Sequence, residues 1–424
     1  MNFARLNHIL IPERAEKRMA LRHAKGGFIV RGALRIYSAF TPLGLFVLLL
    51  WLVITPLSFS LHITMYYVVW SLVSGALVAS LIIRPWVRSR GVSLRVSHPQ
   101  RVRVGEEMHF HISLHNSGPE PVHALEVEPP FLPWDGALIQ PPTHVDVLPV
   151  DAHRTVVARL RFRARGQHSI MPFVAAPLAP LGLTRGRQVA SAISSFTVVP
   201  GFPEVLGLDM PLYPRHQPGG IALASRAGEA LELMGVRPYQ PGDRIRDLHP
   251  PTWGRTGVPH VRHYQQEYYL RTAVLLDVFT RRGRVSERRF EASVSLAAGC
   301  VAALLQGDAL VDLLLCCEQM PPVTIGRRTG TLDTALDTLA CVQGSPEVSM
   351  DAVQDYLAPL LPRLSSLVLV ALEDDDVTRE LQQWIAAQGV ICRTLSVGHG
   401  GQTSGAPLQW VPLQAVERFA QVRL

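Results

Sequence analysis

The sequence predicts a chain in three parts: a membrane-spanning α-hairpin, a β-sandwich, and an α/β domain on a largely parallel sheet. Three observations carry this. Ile36 to Ile63 and Met65 to Ile83 contain no Asp, Glu, Lys or Arg. From Gly91 to about Pro200, short runs alternate apolar with polar residues between turn clusters. From about 233 the pattern changes to apolar strands alternating with helices. At 424 residues the chain exceeds one ordinary domain. Its 48% hydrophobic content and mean hydropathy of +0.17 are high for a wholly soluble protein.

The net charge of +7 is concentrated at the start. Residues 1–35 form a basic arm with Arg5, Arg14, Lys17, Arg18, Arg22, Lys25, Arg31 and Arg35 against Glu13 and Glu16. That is the flank of a membrane segment more than a nucleic-acid surface. A helix needs about 20 mostly apolar residues to cross the hydrocarbon. Residues 36–84 supply two such spans, at about 40–60 and 64–83. Pro42 and Pro56 fall near the ends of the first, where proline is tolerated. Tyr66, Tyr67, Trp70 and Trp86 suit the interface, with a deeper position also open to Trp70. A cleaved leader is disfavoured: the apolar region starts late, is long, and has no small-residue cleavage site before Arg84. Arg84, Arg88, Arg90 and Arg95 follow the second span. With both flanks positive, both ends belong in the cytoplasm, leaving a tight turn near His62 on the far side.

Within 91–200, Ser93-Leu-Arg-Val-Ser, the run from Met108 to His115, and the run from Thr155 to Arg163 alternate as half-buried strands. Asn116-Ser-Gly-Pro, Glu128-Pro-Pro, Gln140-Pro-Pro and Arg165-Gly break them. Short strands so spaced predict a small sandwich, and Val104-Gly-Glu followed by a strand and His115-Asn-Ser-Gly is similar to the opening of an immunoglobulin-like module. His109, His111 and His115 share a face; without an acidic neighbour they read as solvent-facing positions. Residues 201–232, rich in Pro and Gly, read as an extended connector.

The last part, 233–424, alternates strand 272–276, helix 287–306, buried strand 309–317, helices 332–342 and 353–361, strand 367–372, helix 377–387 and strand 390–397. This predicts a parallel sheet with helices on both faces. The five cysteines (300, 316, 317, 341 and 392) form no CxxC pair and read as free buried thiols in a reducing compartment.

Ligands of open α/β sheets bind beyond the carboxyl ends of strands. Asp277 and Glu373-Asp-Asp-Asp376 lie at such ends. Asp277, Thr331 and Asp374 could offer three oxygens to a hard cation such as Mg²⁺. This part resembles a von Willebrand factor A-like (Rossmann-like) domain, whose metal site opens D-x-S-x-S. Here the run is Asp277-Val-Phe279-Thr280-Arg281: Phe279 cannot ligate, and Arg281 sets a cation beside the site. The departure argues against a bound metal. Asp277 and Asp374 are then expected to cap helices or pair with arginines.

The densest motif is Arg237 to Glu267. Pro241-Gly242 suits the centre of a type II turn, Asp243 can accept backbone or arginine donors, and Arg237, Arg246 and Arg255 offer planar forks. The stretch 237–277 resembles the signature of the domain of unknown function 58 family: an R-x-Y-x-x-G-D-x-x-R run, a His-Trp run ending in Arg, a basic strand, a Glu, and a strand ending in Asp. The matching positions are Arg237, Tyr239, Gly242, Asp243, Arg246, His249, Arg255, Val261, Arg262, Glu267 and Asp277. Pro250 stands where the family has Trp, with Trp253 three positions on. The resemblance implies a protein of the bacterial inner membrane, multi-pass, with its N-terminus and large C-terminal region in the cytoplasm. It implies a non-enzymatic scaffold or adaptor whose partner is a MoxR-type AAA+ ATPase, since this chain lacks an ATPase motif: Gly398-His-Gly-Gly-Gln-Thr-Ser-Gly is not completed to a P-loop. No cofactor and no nucleic-acid partner are expected, as the basic motif is interleaved with acids and lacks a stacking array. The alternative is a metal-dependent hydrolase using Asp277, Asp243 and His249.

Overall fold

The structure is a computed structural model that describes residues 39–58, 64–87, 89–208, 210, 233–243, 245–264, 271–281, 285–307, 310–316, 323–325, 331–346, 349–398 and 408–424. The basic arm 1–35, the turn at His62, most of the connector 201–232, Glu267, Cys317 and the glycine-rich loop after Gly398 lie outside them. The chain is mixed α/β with several sheets and divides into two units, Met1–Pro200 and Gly201–Leu424.

The first unit opens with α1 (Pro42–Ser58) and α2 (Thr64–Ile83). They run antiparallel: Trp51 Nε1 donates to Ser74 Oγ at 2.7 Å and Trp70 Nε1 to Thr55 Oγ1 at 3.1 Å. The indoles of Trp51 and Trp70 stack with centroids 6.4 Å apart, so Trp70 belongs to the helix–helix seam. Met65–Ile83 is long and apolar enough to cross a membrane. The 17 residues of α1 span only about 26 Å, short of a hydrocarbon core of about 30 Å. The outer faces are apolar, with Phe46 63%, Leu49 63% and Leu72 72% exposed.

Eleven strands follow: β1 (Val92–Ser97), β2 (Arg101–Arg103), β3 (Glu107–Asn116), β4 (Val122–Glu128), β5 (Gly136–Gln140), β6 (Val145–Leu148), β7 (His153–Phe162), β8 (Gly166–Ile170), β9 (Val174–Pro177), β10 (Val189–Ala190) and β11 (Ser194–Val199). They form sheets ordered β1-β3-β7-β5, β10-β9-β4-β6 and β2-β11-β8. All three contribute to one core. The alternation read from β3 is realised, because side chains two apart share a face. Met108, Phe110, Ile112 and Leu114 are buried, while His109 and His111 are exposed and His115 stacks on His153 across the β3–β7 pair, with centroids 4.0 Å apart.

In the second unit, β12 (Val205–Leu206) pairs in parallel with β21 (Val422–Arg423). The start of the segment read as a connector is therefore part of this unit. Gly201 sits against the Phe419 ring and Gly299 against Pro203 O, and a Cβ at either glycine would collide. An antiparallel hairpin, β13 (Leu233–Pro238) with β14 (His260–Tyr264), encloses α3 (Pro250–Thr256). The main sheet comprises β15 (Arg271–Leu276), β16 (Leu310–Leu315), β17 (Val323–Ile325), β18 (Ser366–Ala371), β19 (Ile391–Val397) and β20 (Leu408–Val411), ordered β17-β16-β15-β18-β19-β20. Its strands are parallel except β17, an antiparallel edge that periodicity does not reveal in three residues. The helices are α4 (Glu287–Leu304), α5 (Leu332–Cys341), α6 (Met350–Leu357), α7 (Asp376–Ala387) and α8 (Leu413–Glu417). Every residue of β18 is buried, as a strand covered on both faces requires. Cys300 and Cys316 are buried and Cys392 half-buried, but Cys341 is exposed at the end of α5, against the expectation for all five.

Candidate functional site

The chain runs from β15 outward to β16 and β17, then returns to place β18 on the other side of β15. The order reverses between β15 and β18, and this is where an open α/β sheet makes a crevice beyond its carboxyl edge. Asp277 follows β15 directly and is 4% exposed. Its carboxylate accepts from Phe279 N at 2.9 Å, Leu372 N at 3.3 Å, and both terminal nitrogens of Arg281 at 3.0 Å. One side chain thus ties the β15 loop to the end of β18.

Arg281 occupies the crevice. Besides Asp277, its guanidinium donates to Phe279 O at 2.6 Å, to Thr378 Oγ1 at 3.2 Å, and to both carboxylate oxygens of Asp375, one at 3.2 Å. Asp375 also N-caps α7, accepting from Thr378 N at 2.9 Å. The shell is of the kind a hard cation would want: two carboxylates, a hydroxyl and a carbonyl. A covalently attached cation fills it. Arg281 takes a left-handed conformation, φ 47°, to turn back over Asp277.

The electrostatics follow. Burial pushes the Asp277 carboxyl up, while Arg281 and the two amides pull it back. Burial also opposes charge on Asp375, but hydrogen bonds from Arg281 and Thr378 outweigh it and hold Asp375 below the usual carboxylate range. The Arg281 pKa rises further, because Asp375 and Asp277 overcome its own desolvation.

The sequence-predicted oxygen set is brought together only in part. Asp277 is at the crevice. Asp374 pairs instead with Arg379 at 3.0 Å on the surface, and its neighbour Asp375 takes the inward place. Thr331 is exposed ahead of α5 and caps nothing with its side chain. Among the described residues no group of three or more His, Cys, Asp or Glu could hold a metal ion. Sequence reasoning passed over Arg289, on the first turn of α4. It lies 5.5 Å over the Trp410 ring and 3.7 Å from Glu373. Burial lowers its pKa, with Glu373 opposing. The run Ser286-Glu-Arg-Arg289 at a capped helix start was the available signal.

Within the Arg237–Glu267 motif, residues 237–243 and 245–264 form the arm, the β13–β14 hairpin with α3 between its strands. The Gln240–Asp243 turn closes with Asp243 N donating to Gln240 O at 3.0 Å, and Gly242 has φ 107°, as the second central position of a type II turn demands. Arg237 forks onto Asp243 at 2.9 and 2.7 Å, and Gln240 N adds a third donor at 2.8 Å. The Arg237 hydrogen bonds, then that of Gln240, hold the Asp243 carboxyl below its ordinary range. His249 N-caps α3 through Nδ1, 2.8 Å from Thr252 Oγ1. Pro250 follows at the first helical position, where a missing N–H costs nothing, so the departure from Trp is accommodated. Val261 is buried within the hairpin. Tyr239 37%, Ile245 76%, Trp253 43% and Val258 51% are exposed large apolar side chains, and Arg246, Arg255 and Arg262 are exposed with them. Glu267 lies outside the described residues.

Fold and site thus define a doubly wound α/β unit whose switch point is closed by an arginine, with a basic, apolar-tipped arm ahead of its first strand. Residues 235–394 match the family described as "Protein of unknown function DUF58", in agreement with the resemblance carried by the arm. No curated protein matches the chain. Among solved structures, the native conformation of Escherichia coli alpha-2-macroglobulin is similar at 20% identity over 27% of this chain and 7% of that one, with a TM-score of 0.21. The trypsin-activated form from Escherichia coli gives 18% identity over 38% and 10%, with a TM-score of 0.22. An exo β-N-acetylglucosaminidase from Vibrio harveyi gives 8% identity over 76% and 78%, with a TM-score of 0.16. The chain spans a tenth or less of the two macroglobulin chains, and likenesses this distant carry no argument about function.

Proposed function

We propose that this chain is a membrane-anchored, non-enzymatic scaffold or adaptor that works with a MoxR-type AAA+ ATPase in assembling or maturing other protein complexes. In this reading the helical hairpin is a two-span anchor in a bacterial inner membrane, with both flanks cytoplasmic. The strands of the first unit are an immunoglobulin-like sandwich. The second unit is a von Willebrand factor A-like domain that has exchanged its cation for Arg281. The observation that carries the proposal is the arm: a hairpin that exposes Tyr239, Ile245, Trp253 and Val258 among arginines. Large apolar side chains ringed by arginine are the composition of interface hot spots, and their charge suits an acidic partner face.

The hydrolase alternative would need Asp277, Asp243 and His249 to act together. They are engaged separately, by Arg281, Arg237 and Thr252. The test is capture of a MoxR-type ATPase by the detergent-solubilised full chain. Trp253→Ala or Ile245→Ala is expected to weaken capture roughly 30-fold, the effect of a hot spot of about 2 kcal/mol. Capture unaffected by these variants and by Arg246→Glu would overturn the docking role of the arm. Elemental analysis of the same preparation is expected to find no stoichiometric divalent metal; a bound equivalent would revive the hydrolase.

A further inference from the structure

In the first unit, the loop between β9 and β10 is built into the base of the helical hairpin. Its centre, Pro180–Gly182, is a short 3-10 turn. Leu183 shares one apolar cluster with Ala39, Phe40 and Leu77. Its carbonyl accepts from Thr41 N at 3.1 Å, and the Gly182 carbonyl accepts from Thr41 Oγ1 at 2.6 Å. Thr41 Oγ1 in turn accepts from Gly44 N at 2.9 Å at the start of α1. On the other helix, Thr184 Oγ1 donates to Ser80 O at 3.1 Å. The approach is close enough that a Cβ on Gly44 would lie 1.9 Å from Leu183 O.

These contacts set a depth. Ser80 lies three residues before the end of α2, and Leu77 six. At 1.5 Å per residue the loop reaches roughly 5–9 Å up the helix from its charged end. Directly beneath is a polar floor. Arg185, 6% exposed, donates to Phe40 O at 3.2 Å and pairs with Glu126 at 3.3 Å and with Glu128. Arg84 Nε donates to Arg185 O at 2.8 Å. Above that floor Leu181 stands 65% exposed in a left-handed conformation, φ 72°, and Trp86 is 72% exposed at the helix end. At that depth an exposed leucine suits hydrocarbon, and irregular backbone is tolerated there where protein satisfies its polar groups. The Gly182 and Leu183 carbonyls are so satisfied by Thr41.

We infer that the Pro180–Leu183 loop dips into the acyl-chain region beside the hairpin, with the Leu181 side chain in contact with lipid. The inference rests on the membrane reading of α1 and α2. It makes the strand-rich part of the first unit a body seated in the membrane surface, held there by its own loop as well as by the chain.

The test places a benzophenone-bearing amino acid at position 181 of the full chain in phospholipid vesicles and reads acyl-chain adducts by mass spectrometry. Position 72, mid-way along α2, reports the membrane reading. Position 106, in the turn between β2 and β3 at the far end of the β1–β3 pair, reports water. Adducts at 72 and 181 but not at 106 are expected. Adducts at 72 without any at 181 would overturn the inference and leave the membrane reading intact; none at 72 would overturn both. Hydroxyl-radical footprinting of the unsubstituted chain in the same vesicles guards against misfolding of the substituted one. Leu181 is expected to be as protected as Leu72, and oxidation of Leu181 at the level of exposed Phe131 sinks the idea.

Discussion

A single arginine decides the chemistry of the crevice. Arg281 contributes its charge to two carboxylates, and its side chain is only 13% exposed. Removing one partner of a buried pair leaves the other charge uncompensated, so Arg281→Ala is expected to destabilise the second unit by about 3–5 kcal/mol; its unfolding transition in denaturant measures this. Asp375 adds a pH dependence. A carboxyl depressed in the folded state stabilises above its unfolded pKa, about 3.9 for Asp, and that contribution is lost as pH falls through the lower folded value. Melting between pH 3 and 7 is expected to show an acid loss of stability that Asp375→Asn reduces. Burial lifts the Cys300 thiol to about 12 and Cys392 to about 11. Since the thiolate is the reactive form, a thiol reagent on the native chain is expected to label Cys341 well before either; fast labelling of Cys300 would contradict the burial.

At the scale of elements, the strands and helices of the second unit were readable because each repeats a period. Phe290, Val294, Ala297 and Val301 share the buried face of α4, and β18 is an unbroken apolar run. Among the elements that escaped are short ones that show no period: the edge strands β17 and β20, the parallel pair β12 and β21, the five-residue α8, and α3, which begins with two prolines; β13 escaped as well. The site was partly readable for a related reason. The sequence placed Asp277 at a strand end and a cation near it. It pointed to Asp374, yet Asp374 pairs with Arg379 and Asp375 turns inward, because the phase of α7 after β18 decides which carboxylate faces the crevice. Gly44 is a comparable case, an unremarked residue in an apolar helix until the Leu183 carbonyl is found against it. Gly44→Val is expected to detach loop from hairpin and lower the first unit's melting temperature, whereas Gly75→Val, with open space around it, leaves it unchanged.

Over the whole molecule, the proposed topology puts both soluble regions on the cytoplasmic side. An alkaline phosphatase fused after Leu424 is then expected to be inactive, and one inserted near His62 active; the reverse pattern would invert the orientation. Composition and periodicity alone determined the order of the parts: apolar helices, alternating strands, then strand–helix alternation with a basic, turn-rich arm at its entry. These properties are local, set by side-chain period and by where charge is missing. Tertiary structure alone decided that Arg281 fills the crevice, that Asp375 and not Asp374 faces it, that Tyr239, Ile245, Trp253 and Val258 of the arm stay exposed, and that a strand-connecting loop lies beside Ser80. Each of these depends on which distant segments meet. Contacts between residues 94 to 142 positions apart leave no trace in the spacing of either segment.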